Sequence, residues 1–199
     1  MKNASVLSAL IVLPAGTAVA APTVYHLGSA SQRTNITFAS ETAFESILGT
    51  TQAIGGRVVA DLEKGTGSVE IEIPVASLRT GIDMRDEHLR SPMWLDASAH
   101  PTIRFVSTSA RRIDGERWRI RGSFTLHGVS RELELEADVR PIPAATAKAA
   151  GLEAGDWLRV TAPFTVRLSE FGVKVPEMAA AKVNDEWTVR LVAFATTAK

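Results

Sequence analysis

The chain has 199 residues, of which 45% are hydrophobic and 22% are charged, and its 22 basic and 22 acidic side chains cancel. This balance argues against nucleic acid as the main partner, because phosphate binding needs a basic surplus. The sequence has no cysteine, which excludes disulfides, thiolate metal sites and a thiol nucleophile. The length suits one domain with a substantial core.

The first twenty residues have the features of a secretory signal peptide. Lys2 is the only charge among them, an apolar run covers 6–13, and an Ala-Val-Ala cleavage pattern ends at Ala20. The apolar run is shorter than the ~20 residues that a membrane-spanning helix needs, so a retained anchor is the weaker alternative. We therefore predict removal of residues 1–20, a single domain over 21–199 without a transmembrane anchor, and a bacterial periplasmic location.

The remaining sequence alternates apolar and polar residues along most of its length. This period of two is typical of antiparallel strands with one face in the core and one in water. The predicted strands, in chain order, cover residues 35–39, 54–62, 68–75, 102–108, 117–126, 132–139, 158–168 and 187–193. Glycine-containing turns at Asp114-Gly115 and His127-Gly128 separate some of them, and both pairs favour tight hairpins.

The pattern predicts an all-β fold with short helical inserts at 85–90, 144–150 and 177–181. About eight antiparallel strands in one domain must form a sandwich or a barrel, because both avoid exposed strand edges. A barrel of about eight strands is just wide enough to be filled by side chains or to hold one slender ligand. A filled barrel with a structural or stress role therefore stays an alternative to a binding protein.

The common catalytic and metal-binding signatures are missing. The sequence has no nucleophile elbow, phosphate-binding loop or His-Glu-x-x-His helix. The histidines lack the spacing of a metal site; they are His26, His88, His100 and His127. We predict no metal, no cofactor and no enzymatic activity.

A mixed-charge cluster covers residues 83–90. Arg85, Asp86 and His88 could lie at the rim of a barrel and meet the polar head of a ligand. Alternatively, the cluster is a solvated helical turn whose charges pair with one another. In an enzyme acting on lipid, Asp86 and His88 could serve as an acid/base pair, but no nucleophile adjoins them.

Three blocks of sequence resemble the YceI-like family. The first comprises Ala76–Gly81, Arg85–Ser91 and His100–Phe105; the second is Gly122–Arg131; the third comprises Phe171–Val173 and Lys182–Asp185. Their order is specific, and the similarity runs from about Tyr25 to Thr196. Met93-Trp94-Leu95 departs from the family pattern, which usually has an Asp-Phe type pair there.

The resemblance implies an extended, lipocalin-like antiparallel barrel that binds a long amphiphile in the periplasm for transport, storage or sequestration. The ligand classes that it implies are a polyisoprenoid, an isoprenoid quinone, and a fatty amide or acid. Whether the protein forms a homodimer is left open. We expect the lumen to be lined by Phe38, Ile71, Ile73, Phe105, Phe124, Leu133, Leu135, Phe164 and Trp187, with Arg85, Asp86 and His88 at the rim.

Overall fold

The computed structural model describes residues 21–28 and 31–198; the predicted signal peptide lies outside these residues. Within them the strands are β1 (Thr23–Leu27), β2 (Asn35–Glu41), β3 (Ser46–Thr51), β4 (Gly55–Asp61), β5 (Thr66–Pro74), β6 (Thr102–Asp114), β7 (Arg117–Leu126), β8 (Val129–Ile142), β9 (Trp157–Arg167) and β10 (Glu186–Thr196). The α-helices are α1 (Asp83–Arg90) and α2 (Ala144–Ala149).

One antiparallel sheet closes on itself. Its strand order is β1-β4-β5-β6-β7-β8-β9-β10, and β10 pairs back to β1 where Leu27 meets Ala195. Eight strands of the described chain thus form a closed barrel, which confirms the predicted fold. The β2–β3 hairpin adds to the other half of the same β10 edge, with Val189 opposite Phe38. The strands that flank β10 therefore differ along the barrel: β1 and β4 lie beside its C-terminal end, and β2 and β3 lie beside its N-terminal half.

Two strands were not apparent in the sequence pattern. β1 has only five residues, which is too short for a clear period. In β3 the inward positions are Ile47, Gly49 and Thr51, of which only Ile47 is a large apolar residue. A strand whose inward face carries glycine and threonine shows little hydrophobic alternation, and only its pairing with β2 reveals it.

The two predicted hairpin turns are confirmed. Gly115 has a φ of 50° between β6 and β7. Between β7 and β8, His127 and Gly128 have φ values of 51° and 73°, and Leu126 pairs directly with Val129. Positive φ at both central residues defines the type I′ turn, whose twist matches that of the flanking strands.

β8 and β9 pair only near one end of the barrel. Their ladder covers Asp138–Ile142 and Trp157–Thr161 and stops before Pro163. Pro163 has no N–H to donate to a further rung of this ladder, although it still pairs with Arg190 of β10. Beyond that point the 3₁₀ turn Leu168–Phe171 packs against β8.

The half of the barrel bordered by β1 and β4 is filled with side chains. Tyr25, Trp118 and Leu158 are buried there and belong to one apolar core. Small residues such as Ala137 and Ala195 occupy neighbouring inward positions. Alternating large and small side chains fill the cross-section of a small barrel in this way.

The helices agree in place with the predicted inserts, although α1 begins at Asp83 and α2 ends at Ala149. The third insert is a 3₁₀ turn, Glu177–Ala179. Among the described residues, none of these helices has the length and apolar character needed to cross a bilayer.

Candidate functional site

A cavity of about 490 Å³ lies in the half of the barrel bordered by β2 and β3. Its size falls within the range of small-molecule sites. Inward positions of the strands supply 13 of the 28 lining residues, and the others come from α1, the 3₁₀ turns and the loops around the opening. The lining residues are Ile36, Phe38, Glu45, Ile47, Thr51, Ile73, Leu78, Thr80, Ile82, Met84, Arg85, His88, Leu89, Trp94, Leu95, Ile103, Phe124, Leu126, Phe164, Val166, Leu168, Met178, Ala179, Lys182, Val183, Trp187, Val189 and Leu191.

The middle of the wall is aromatic and aliphatic. Trp187 and Phe38 lie with ring centroids 5.7 Å apart, and Val189 and Leu191 continue the inward face of β10. Alternation along β10 places Thr188 and Arg190 on the outer wall, where both are exposed. A wall of this kind stabilises apolar groups and offers them few polar contacts.

Phenylalanine rings close the inner end of the cavity. Phe124 contacts Phe164 edge to face, with centroids 6.0 Å apart, and Phe171 with centroids 5.5 Å apart. Phe105 pairs with Phe124 across the β6–β7 ladder and is buried. Its ring lies against Gly122, where an added Cβ would come within 2.7 Å of Cζ. The open and the filled halves of the barrel meet at these rings.

Arg85 spans the mouth of the cavity. Its Nη1 donates to Glu45 Oε1 at 3.0 Å, which joins α1 to the β2–β3 turn. Its Nε donates to Thr80 Oγ1 at 2.9 Å, and its Nη2 donates to the Thr80 carbonyl at 3.1 Å. The predicted cluster is therefore helical, but Arg85 pairs with a carboxylate outside the helix.

Asp86 lies at the rim but faces into the protein. Its side chain is only 2% exposed, and its Oδ1 accepts hydrogen bonds from the Thr80 backbone N–H at 2.7 Å and from Thr80 Oγ1 at 2.6 Å. Burial by itself raises the pKa of Asp86, and the Thr80 hydrogen bonds with the charges of Arg79 and Arg90 outweigh it, so the pKa lies below its usual value. The predicted contact with a ligand head is corrected: this carboxylate anchors α1.

Other polar and apolar groups frame the opening. His88 is exposed and lines the mouth, as predicted for the rim. Lys182 lies between the 3₁₀ turn Glu177–Ala179 and β10, and its Nζ is 5.9 Å from the centre of the Phe44 ring. Met84 and Met178 also line the opening and are largely exposed. The mouth thus combines cationic groups with flexible apolar side chains.

The predicted lumen residues divide into two groups. Five of them line the cavity: Phe38, Ile73, Phe124, Phe164 and Trp187. The other four do not: Ile71, Phe105, Leu133 and Leu135. Phe105 belongs to the buried core, and the other three are half-buried and pack against that core. Alternation identifies inward-facing positions, but it does not show at which depth the barrel is empty. Ligand binding by the first group stays a prediction.

Several lining residues were missed because they lie outside regular strands. Ile82, Met84 and Lys182 come from the loops and helix at the mouth. Their only signal in the sequence is their position within or beside the blocks that resemble the YceI-like family. Ile36 and Ile47 were missed because the β2–β3 hairpin was only partly recognised.

No group of three His, Asp or Glu side chains among residues 21–28 and 31–198 is placed to share a metal ion. His100 and His127 come together edge to face, with ring centroids 4.7 Å apart. His127 Nδ1 lies 3.2 Å from the Phe171 carbonyl oxygen. The two histidines therefore link the β7–β8 turn to the segment before β6 and to the 3₁₀ turn Leu168–Phe171.

A closed antiparallel barrel with an apolar cavity open at one end defines the lipocalin-like class. Comparison with known families gives a more specific assignment. The YceI-like domain matches residues 27–195, so the chain belongs to the YceI-like family.

Relatives and solved structures agree with this assignment. A UPF0312 protein of Pseudomonas savastanoi is 29% identical over 171 residues, covering 83% of each chain. Protein YceI of Escherichia coli O6:H1 is 33% identical over 132 residues, covering 65% of this chain and 67% of that protein. The structure of Burkholderia cenocepacia BcnA has a TM-score of 0.72 at 21% identity, covering 83% of this chain and 98% of BcnA. A polyisoprenoid binding domain from Saccharophagus degradans has a TM-score of 0.63 at 13% identity, covering 88% and 98%.

Proposed function

We propose that the protein binds an amphiphile whose apolar tail occupies the cavity and whose polar head lies at the mouth. The observation that carries this proposal is the change in packing along the barrel. One half is filled by side chains around Trp118, whereas the half around Trp187 and Val189 encloses an open apolar space. A barrel with a purely structural role would be expected to fill both halves.

The energetics favour an apolar tail. Removing a CH₂ group from water contributes about 0.8 kcal/mol, and a preformed wall spares the protein much of the cost of ordering itself. Part of the gain is lost as the ligand loses its own freedom, so we expect micromolar to nanomolar dissociation constants.

The mouth favours a head group that is polar. Lys182 and His88 both line it, and Arg85 is held there by Glu45 and Thr80. Such groups donate hydrogen bonds and can orient a hydroxyl, carbonyl, carboxylate or phosphate. Candidate ligands are a polyisoprenoid, an isoprenoid quinone, or a fatty amide or acid. The polyisoprenoid binding domain of Saccharophagus degradans, which shares the fold, lends support to the first.

We further propose that binding is not coupled to catalysis. Asp86 is committed to Thr80, and no hydrogen bond between Asp86 and His88 occurs in the described residues. Within the proposed function the protein transports, stores or sequesters its ligand in the bacterial periplasm. The features of residues 1–20 support the location, since they are those of an export signal.

The test is native mass spectrometry, with lipid extraction, of protein purified from its native host. Val189→Trp fills the cavity, and Thr188→Trp places the same side chain on the outer wall one residue away. We expect wild type and Thr188→Trp to carry an apolar molecule at near-stoichiometric occupancy and Val189→Trp to carry none. An empty wild-type protein, or equal occupancy in both variants, would overturn the proposal.

A further inference from the structure

We infer that the rings of Phe105, Phe124 and Phe164 set an upper limit on the length of tail that the cavity accepts. This inference rests on the proposed function and adds a property to it: the ligand has a tail of limited length and does not extend through the whole barrel. Three observations lead to it: the depth of the cavity wall, the packing of the rings, and the filling of the barrel beyond them.

The cavity is shallow compared with the barrel. On β10 the lining positions run from Trp187 to Leu191, which is about 14 Å along a strand that rises ~3.4 Å per residue. On β9 they end at Phe164, and on β7 they end at Phe124. The strands themselves continue beyond these positions, to Trp157 on β9 and Arg117 on β7. The cavity therefore reaches only partway along the barrel.

The rings that end the cavity support one another. Phe124 is held edge to face between Phe164 and Phe171. Phe105 is the ladder partner of Phe124, and its ring lies against Gly122, one inward position deeper on β7, where even a methyl group would collide with it. Gly122 therefore leaves room for the Phe105 ring against the inner face of β7, just beyond the level of Phe124.

The space beyond the rings is occupied. Ile120 and Trp118 follow Gly122 on the inward face of β7, and both are buried. On the neighbouring strand β8, Ala137 pairs with Trp118 and is buried, and Val139 is buried one inward position further along. A tail that extended beyond the rings would have to displace this core, which is close-packed as protein interiors are. Displacement would cost more than the added CH₂ groups return.

The inference predicts a break in the dependence of affinity on chain length. For straight-chain fatty acids from octanoate to stearate, affinity should rise about fourfold per added CH₂, the equivalent of ~0.8 kcal/mol. Once the tail touches the rings, further CH₂ groups stay outside the cavity and the affinity stops rising. We expect this break before stearate, measured by isothermal titration calorimetry below the micelle concentration.

Two variants should move the break in opposite directions. Phe124→Ala removes one ring and should shift the break to longer acids. Val189→Phe places a ring in the open part of the cavity and should shift it to shorter acids. Leu126→Ala is the matched control, because it lies on the same strand as Phe124, one inward position nearer the mouth. It should weaken binding of all acids and leave the break in place.

The outcomes separate the two proposals. If the wild-type protein binds none of the acids, the proposed function fails. If it binds them with affinity that rises steadily to stearate, or if Leu126→Ala shifts the break as Phe124→Ala does, only the length limit fails. Should Phe124→Ala not fold, Val189→Phe decides, because it adds volume to an empty space and leaves the core intact.

Discussion

The ring of Phe38 lies directly over the α-carbon of Gly49 on the neighbouring strand. A Cβ at residue 49 would come within 2.1 Å of Cζ of that ring. Phe38 and Gly49 are direct partners in the β2–β3 ladder, and both face the cavity side of the hairpin. The absence of a side chain at residue 49 is therefore what lets Phe38 lie flat along the wall beside Trp187.

Gly49→Ala should reduce ligand binding more than it reduces stability. The added methyl group pushes the Phe38 ring into the open cavity, which occupies ligand space but spares the core. We expect stability to fall by about 1 kcal/mol, the lower end of the range for overpacking, and affinity to fall about tenfold. Urea denaturation and calorimetry measure the two effects. The control is Gly55→Ala, since a Cβ at that position meets no atom within 4 Å; equal loss of affinity in both variants would contradict the prediction.

Asp86→Asn should lower the free energy of unfolding at neutral pH and should lower it less in acid. The native pKa of Asp86 lies below its usual value, which is about 3.9 in an unfolded chain. The carboxylate therefore contributes stability above that value, and the contribution is lost as the pH falls through the native pKa. We expect a loss of about 1–3 kcal/mol at neutral pH, because Thr80 loses a charged acceptor.

The measurement is urea denaturation of wild type and Asp86→Asn between neutral and acidic pH. The difference in unfolding free energy should narrow as the pH falls below about 4. The control is Glu87→Gln, an exposed position on the same helix, which should change the unfolding free energy by less than about 0.5 kcal/mol at neutral pH. A difference that stays constant with pH would show that Asp86 does not act through its charge.

The ion pair between Arg85 and Glu45 should contribute modestly to stability. Both side chains are partly exposed, and such pairs contribute up to about 1 kcal/mol and are screened by salt. We expect a double-mutant cycle of Arg85→Gln and Glu45→Gln to give a coupling that decreases at high salt. The outer-wall pair Arg167 and Glu186, at 2.9 Å and more exposed, is the control and should show a smaller coupling. A larger coupling at Arg167 would contradict this ranking.

Export should remove the first twenty residues. The Ala-Val-Ala pattern that ends at Ala20 provides small residues at the cleavage positions. Intact mass measurement of protein from the periplasmic fraction should give a chain that begins at Ala21. Replacing Ala18 and Ala20 with large residues should leave the precursor unprocessed. Full-length protein in that fraction would disprove the cleavage site.

Much of the fold could be predicted from the sequence. Strict alternation in β5, β7, β8 and β10 determines which residues face inward, because successive side chains of a strand point to opposite sides. Local chemistry also determined the turns, because glycine readily adopts the positive φ found at Gly115 in one turn and at Gly128 in the other. These features depend on neighbouring residues, so the sequence alone reveals them.

Only the tertiary structure decided where the cavity is. Phe105 and Phe124 occupy equivalent inward positions on adjacent strands, yet Phe124 borders the open space and Phe105 closes it. The Phe105 ring lies against Gly122 and is buried in the core, and the pairing of β6 with β7 is what brings these two residues together. Asp86 likewise has the sequence features of a rim residue, but Thr80 holds it inside. Alternation fixes the side of the sheet on which a residue lies, whereas depth, filling and hydrogen-bond partners depend on which strands meet across the barrel.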